Sequence, residues 1–208
     1  MLRAIFISWF FVLHAVAATA QNFDVELLRS INEKETAFKN GFSKAISGSV
    51  YVVNAGAPIT LLTVGLATHN KQLQKQAAYM AGGYVLSAII TQGSKRLIQR
   101  DRPYATHSFI VKRDAAARGY SFPSGHASAA FYAATSLSIQ YPKWYVIVPS
   151  GLWASAAAWS RLYQGVHYPS DVVVGAVVGA GSAWVTYKVQ KWMDKKAAAK
   201  KAVRPAAL

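Results

Sequence analysis

The chain has 208 residues, 53% of them hydrophobic, with 23 Lys and Arg against 8 Asp and Glu, a formal net charge of +15. That length suits one domain with a core or a small membrane bundle, and the charge calls for a phosphate-rich partner, either nucleic acid or anionic lipid. Cysteine is absent, which excludes disulfides, thiolate metal sites and thiol nucleophiles but leaves the compartment open.

Residues 1–20 place Arg3 before an apolar run and end in the small-residue string "ATA" ahead of Gln21. This is the pattern of a secretory signal peptide, and an uncleaved N-terminal anchor is the rival reading. In both cases the next segment starts outside the cytoplasm. Residues 21–45 form an amphipathic lead-in, with Phe23, Leu27, Leu28, Ile31 and Phe38 on a helical stripe. A helix lying on a membrane surface and an ordinary packed helix both fit it.

Five apolar stretches follow, at 49–68, 77–98, 127–140 with its flanks, 144–160 and 171–191. A spanning helix needs about 20 residues, with a floor near 17. The first, second and fifth clear that floor; the third does so only if it begins near Ser124, and the fourth sits at the limit. The mean hydropathy of +0.18 is modest for a membrane protein. Gly175-x-x-x-Gly179 in the fifth stretch permits close helix approach.

Threading the five stretches alternately across a membrane puts Lys71, Lys75 and Lys143 on the cytoplasmic side. The basic tail at 194–208, with Lys195, Lys196, Lys200, Lys201 and Arg204, falls on that side too. Those placements obey the positive-inside preference, and Tyr141, Trp144, Tyr187 and Trp192 then lie at the interface. One loop breaks the rule. Residues 93–122 fall outside yet carry Lys95, Arg96, Arg100, Arg102, Lys112, Arg113 and Arg118. Cations kept there against the rule imply a task.

Three short stretches supply candidate chemistry. In "KRLIQRDRP", Lys95 and Arg102 are seven residues apart, close to two helical turns, so a continuing helix places both on one face; Pro103 disfavours helix at Arg102. A snorkelling basic helix end explains the same residues. In "FPSGHASAAF", Ser124 is a candidate N-cap, Gly125 lets an anion approach the backbone, and the following amides point at that anion. His126 beside it is a candidate proton donor. In "SRLYQGVHYPSD", Arg161 can clamp phosphate oxygens. Asp171 either compensates a helix dipole or takes a hydrogen bond from His167, leaving the other ring nitrogen free to attack.

Taken in order, Lys-x6-Arg-Pro, Pro-Ser-Gly-His and Ser-Arg-x5-His-x3-Asp closely resemble the type 2 phosphatidic acid phosphatase family. That family shares its site with vanadium haloperoxidases and bacterial non-specific acid phosphatases. The resemblance covers Lys95 to Asp171 by motif, with no departure at the key positions. It implies an all-α membrane helix bundle of about five transmembrane helices, and a phosphatase domain over 21–193. It implies His167 as the nucleophile that forms a phosphohistidine, Asp171 orienting it, and His126 as the acid that protonates the leaving alcohol. Lys95, Arg102, Ser124, Gly125 and Arg161 would form the phosphate cradle. No metal or other cofactor is implied.

The expected activity is hydrolysis of a lipid phosphate or diphosphate: phosphatidate, phosphatidylglycerol phosphate, undecaprenyl diphosphate or a lipid A phosphate. The expected place is a bacterial inner membrane, with the site on the periplasmic face, the membrane and its lipid phosphate as partners, and no nucleic acid. A soluble periplasmic acid phosphatase with the same site, a vanadate-dependent haloperoxidase and a non-enzymatic basic module binding membrane or nucleic acid are the rivals. His107, alone in the outer loop, lacks the partners a site needs.

Overall fold

A computed structural model of the chain describes residues 23–203. The expected signal or anchor at 1–20 and the end of the basic tail lie outside the described residues. All five apolar stretches are helical, and each helix begins and ends for a local reason. Residues 23–32 form α1. Thr36 then caps α2 (Ala37–Ala67), its side chain accepting from Lys39 N at 3.2 Å. Asn70 caps α3 (Lys71–Ile98) by accepting from Gln72 N and Leu73 N, and Lys95 and Arg96 lie in its last turn, where the helix dipole favours cations. A four-residue α4 (Pro103–Thr106) interrupts the outer loop. Ser124 caps α5 (Gly125–Gln140). Next comes α6 (Trp144–Tyr163), and last α7 (Pro169–Val203), with proline at its first position and Asp171 in its first turn.

The lead-in at 21–45 differs from the single stripe its periodicity suggests. It is α1 plus the first turns of α2, separated at residues 33–36. Asn32 explains the break. Its amide donates to Val111 O and Tyr163 O, both at 2.9 Å, and accepts from Val111 N at 2.9 Å. Those bonds pin the end of α1 to the outer loop and to α6. Within the stripe, Leu28 is buried while Phe23 and Phe38 are exposed.

At the centre stands α5, which packs against α7, α6, α3 and α2. Its buried residues are mostly Ala and Ser, with Tyr132 the large exception. Small side chains let neighbours come close. The tightest approach is to α7, where a Cβ added at Gly179 would strike Ser128 O and one at Gly175 would stand 2.5 Å from Ser124 O. Gly175 therefore brings α7, and Asp171 with it, against the start of α5.

Polarity is distributed inside out. Ser43, Asn54, Ser87, Thr91, Ser128, Ser136 and Ser182 are buried, whereas Ile59, Leu62, Val85, Ile89, Leu152, Val173, Val177 and Trp184 are exposed. In water this would be costly; against lipid it is the stable arrangement, with buried polar groups paired inside the bundle. Ser128 accordingly bonds Ser87 at 2.7 Å and Thr91 at 3.1 Å between α5 and α3. By length and hydropathy, α2 and α7 are each long and apolar enough to cross a membrane. The 16 residues of α5 extend about 24 Å, short of a hydrocarbon core of about 30 Å. On its own, α5 is thus shorter than a full span.

Candidate active site

Residues 47–51 of α2, the ends of α3, α5 and α6, the loop between α3 and α5 and the turn before α7 line a cavity of about 580 Å³. Lys95, Arg102, Gly125, His126, Arg161 and His167 all reach its wall. Ser124 and Asp171 do not line it. Both are fully buried behind the wall, Ser124 as the α5 cap and Asp171 behind His167. The three motifs are thus brought together across 76 residues of chain, and each has a definable place.

Lys95, in the last turn of α3, donates to Tyr120 O at 2.7 Å and Ser121 O at 3.1 Å. Arg102 donates to Gly119 O at 2.9 Å, Arg118 O at 2.8 Å and Val166 O at 2.7 Å. Those carbonyls fold the outer loop over the cavity and hold the guanidinium still. The cations expected to break the positive-inside rule are therefore structural ties as well as a positive wall.

At the start of α5, the Ser124 hydroxyl accepts from Ala127 N at 3.4 Å. The first amides of a helix have no acceptor within it, and those of Gly125 and His126 belong to residues on the cavity wall. The His126 ring meets Tyr51 of α2 edge-on, with centroids 4.9 Å apart. Arg161, 2% exposed near the end of α6, donates to Ser47 Oγ and Gln164 Oε1 at 2.6 Å and to Asp114 Oδ2 at 2.7 Å.

His167 follows the turn at Gly165, whose φ of +70° suits glycine and where a Cβ would strike Asn32 and Ile110. Its Nε2 lies 3.4 Å from Arg102 Nη1. Arginine only donates, so Nε2 is the lone-pair nitrogen and the ring proton sits on Nδ1. Nδ1 faces Asp171 Oδ2 at 3.5 Å. That is ion-pair distance but not a formed hydrogen bond, and Nδ1 has no closer partner. The Asp171 carboxylate is instead held by Arg100 Nη1 on Oδ1 at 2.8 Å and by Tyr168 N on Oδ2 at 2.9 Å. Burial lowers the His167 pKa to about 4; Asp171 opposes the shift, while Arg102 and Arg161 add to it. The imidazole is neutral at ordinary pH, as a nucleophile must be.

Sequence reasoning missed Asp114 and Tyr51 on the cavity wall, and Arg100 and Asp24 behind it. Arg100 lies inside the first motif, and its charge in a loop expected outside the membrane was a signal. Nothing around Asp24, Tyr51 or Asp114 distinguishes them from ordinary helix or loop residues. His107 keeps company only with aromatic rings, 5.4 Å from Phe109 and 6.1 Å from Tyr168. Among the described residues no group of three or more His, Cys, Asp or Glu is placed to hold a metal ion.

An apolar-surfaced helical bundle with one cation-walled cavity at its helix ends defines a class of membrane protein that handles phosphate. Its family is identifiable as well. Residues 76–195 match the PAP2 superfamily model, so the chain belongs to the PAP2 superfamily. It is 28% identical over 170 residues to an undecaprenyl-diphosphatase of Sulfolobus acidocaldarius, covering 81% of this chain and 79% of that one. It is 39% identical over 102 residues to a decaprenylphosphoryl-5-phosphoribose phosphatase of Mycobacterium tuberculosis, covering 48% of this chain and 52% of that one. The fold matches a PAP2-type phosphatidylglycerolphosphate phosphatase from Bacillus subtilis with a TM-score of 0.66 at 20% identity, covering 95% and 96% of the two chains. LpxE of Aquifex aeolicus matches equally well, with a TM-score of 0.66 at 24% identity over 78% of this chain and 93% of that one.

Proposed function

We propose that the protein is a metal-independent membrane phosphatase that hydrolyses a lipid phosphate or diphosphate through a phosphohistidine on His167. The observation that carries the reading is the His167 ring, its lone-pair nitrogen 3.4 Å from a cation on the cavity side and its other nitrogen toward a buried carboxylate. The phosphate-containing names of the relatives support the same class of substrate.

The phosphoryl group enters among Lys95, Arg102, Arg161 and the amides at the α5 start, which oppose the charge spread over its equatorial oxygens. Arg102 offers those oxygens the N–H groups its carbonyl partners leave over, including the one near Nε2, which is thereby freed. The Nε2 lone pair attacks phosphorus while the bond to the lipid oxygen breaks, and His126 gives that oxygen a proton. Asp171 takes the hydrogen bond from Nδ1 as the ring becomes positive. A water then attacks phosphorus and yields its proton to His126. Phosphate leaves and His167 is restored.

Phosphatidate, phosphatidylglycerol phosphate, undecaprenyl diphosphate and lipid A phosphates all present a terminal phosphoryl group to such a site. It faces the periplasmic side of a bacterial inner membrane, since the basic turns and tail then lie inside. The decisive experiment measures phosphate release from these lipids in detergent with excess chelator present. Wild type turns over and His167→Ala, purified as a folded protein, does not. Turnover by His167→Ala would remove the nucleophile, and loss of wild-type activity in chelator, restored by a divalent ion, would reject the metal-free route.

A further inference from the structure

Arg100 does not touch the cavity, yet it makes the most elaborate set of bonds behind it. Its Nη1 donates to Asp171 Oδ1 at 2.8 Å and to Ser170 Oγ at 2.7 Å, and its Nη2 donates to Asp24 Oδ2 at 3.0 Å. The guanidinium lies 3.8 Å over the Tyr168 ring, whose hydroxyl is tied to Thr106 at 2.7 Å. Asp24, buried on α1, also accepts from Ser170 N at 2.8 Å and from the Ser170 hydroxyl. Two buried carboxylates, one from each end of the chain, thus flank a single cation at the start of α7.

We propose that Arg100 and Asp24 are positioning residues for the phosphatase reaction. Asp24 holds Arg100, and Arg100 holds Asp171 Oδ1, so that Oδ2 is the oxygen left facing His167 Nδ1. The proposal rests on His167 being the nucleophile. It makes α1 part of the catalytic apparatus rather than a surface appendage. It also gives Arg100 an electrical task. A carboxylate shared with a fixed cation holds an imidazolium less tightly, so His167 sheds its proton more readily and stays able to attack.

His167 is faced by Asp171 from α7, Arg102 from the loop before α4, Arg161 from α6 and His126 from α5. Arg100 and Asp24 stand behind Asp171, so changing either removes no charge from that inner set. Their charges are opposite, and so are the expected shifts. In Arg100→Gln the acid limb of the kcat/KM profile moves to higher pH, because Asp171 then binds the protonated ring more strongly. In Asp24→Asn the limb moves to lower pH. Both lose kcat, about 10- to 100-fold for Arg100→Gln, the loss typical when a group that orients a reacting residue is removed. KM stays within about twofold, since neither residue lines the cavity. Arg100→Lys, which keeps the cation, returns the limb to its wild-type position and recovers part of kcat.

A bolt that merely fastened α1 would lower the melting temperature of all three variants and leave the acid limb in place. An unmoved limb in Arg100→Gln, or limbs moving the same way in Arg100→Gln and Asp24→Asn, overturns the proposal. If Arg100→Gln does not fold, the limb of Asp24→Asn against that of Arg100→Lys decides by the same rule. His167→Ala is assayed alongside. If it is active, the phosphatase reading itself fails; if it is dead while Arg100→Gln keeps wild-type kcat and pH profile, only the positioning role fails.

Discussion

Asp114 is the acidic residue on a wall otherwise built to attract anions. Its carboxylate takes one arm of Arg161 at 2.7 Å and accepts from Ala116 N at 3.0 Å. Burial pushes its pKa up, but the hydrogen bond and charge of Arg161 outweigh that and hold it below the ordinary carboxylate range. It is therefore negative at ordinary pH, and it would repel a phosphate held by Arg161 as proposed. Asp114→Asn is expected to tighten inhibition by vanadate or inorganic phosphate several-fold, read as a lower inhibition constant, because the arriving oxyanion no longer meets a fixed like charge. An unchanged constant would mean that Asp114 swings clear of the site when it fills. Tyr51 has a different part: by packing edge-on against His126 it narrows where that ring, the proposed proton donor, can point.

The contact between α5 and α7 sets the spacing between the start of α5 and the residues around His167, the proposed nucleophile. Backbones approach so closely there that Ser124 N donates to Asp171 O at 2.9 Å. Gly175 sits one helical turn further along α7, where any side chain meets Ser124 O. Gly175→Val is expected to push the two helix ends apart, with activity falling at least tenfold and the melting temperature in detergent dropping by several degrees. Gly181 on the same helix has open space around it, so Gly181→Ala should leave both nearly unchanged and even gain helix propensity. Similar behaviour of the two variants would show that the close contact is not what places the site. At the other end of the bundle, α7 continues as helix through the expected tail to Val203, with Lys196 over the Trp192 ring at 4.2 Å.

As a whole molecule the bundle presents its apolar residues outward, including Leu97, Leu152, Val173, Val177 and Trp192. A soluble phosphatase would bury them, so the protein is expected to stay with membranes through a high-salt wash and to need detergent for release; release by salt alone would overturn this. Much was legible along the chain. The three motifs carry their own residue types and spacing, and the apolar stretches announce five helices because length and composition are local properties. Ser124 as a cap, the end of α3 before Arg102 and the close-packing role of Gly175 follow from backbone chemistry that a few neighbouring residues decide. Asp24, Tyr51 and Asp114 were not legible as site residues. Each acquires its role from a partner tens of residues away, and a lone carboxylate or phenol looks the same in sequence whether it meets water or an arginine. The break at residues 33–36 has the same origin, since the partners of Asn32 lie 79 and 131 residues further on. Sequence by itself thus determined the family and the helices and put forward the residues of the proposed site, because these depend on residue identity and short-range pattern. Only the tertiary structure decided which oxygen of Asp171 faces His167, which cations tie the loop, and that the first helix reaches the Asp171 carboxylate through Arg100. Those are matters of distance, and distance between remote residues exists only once the chain is folded.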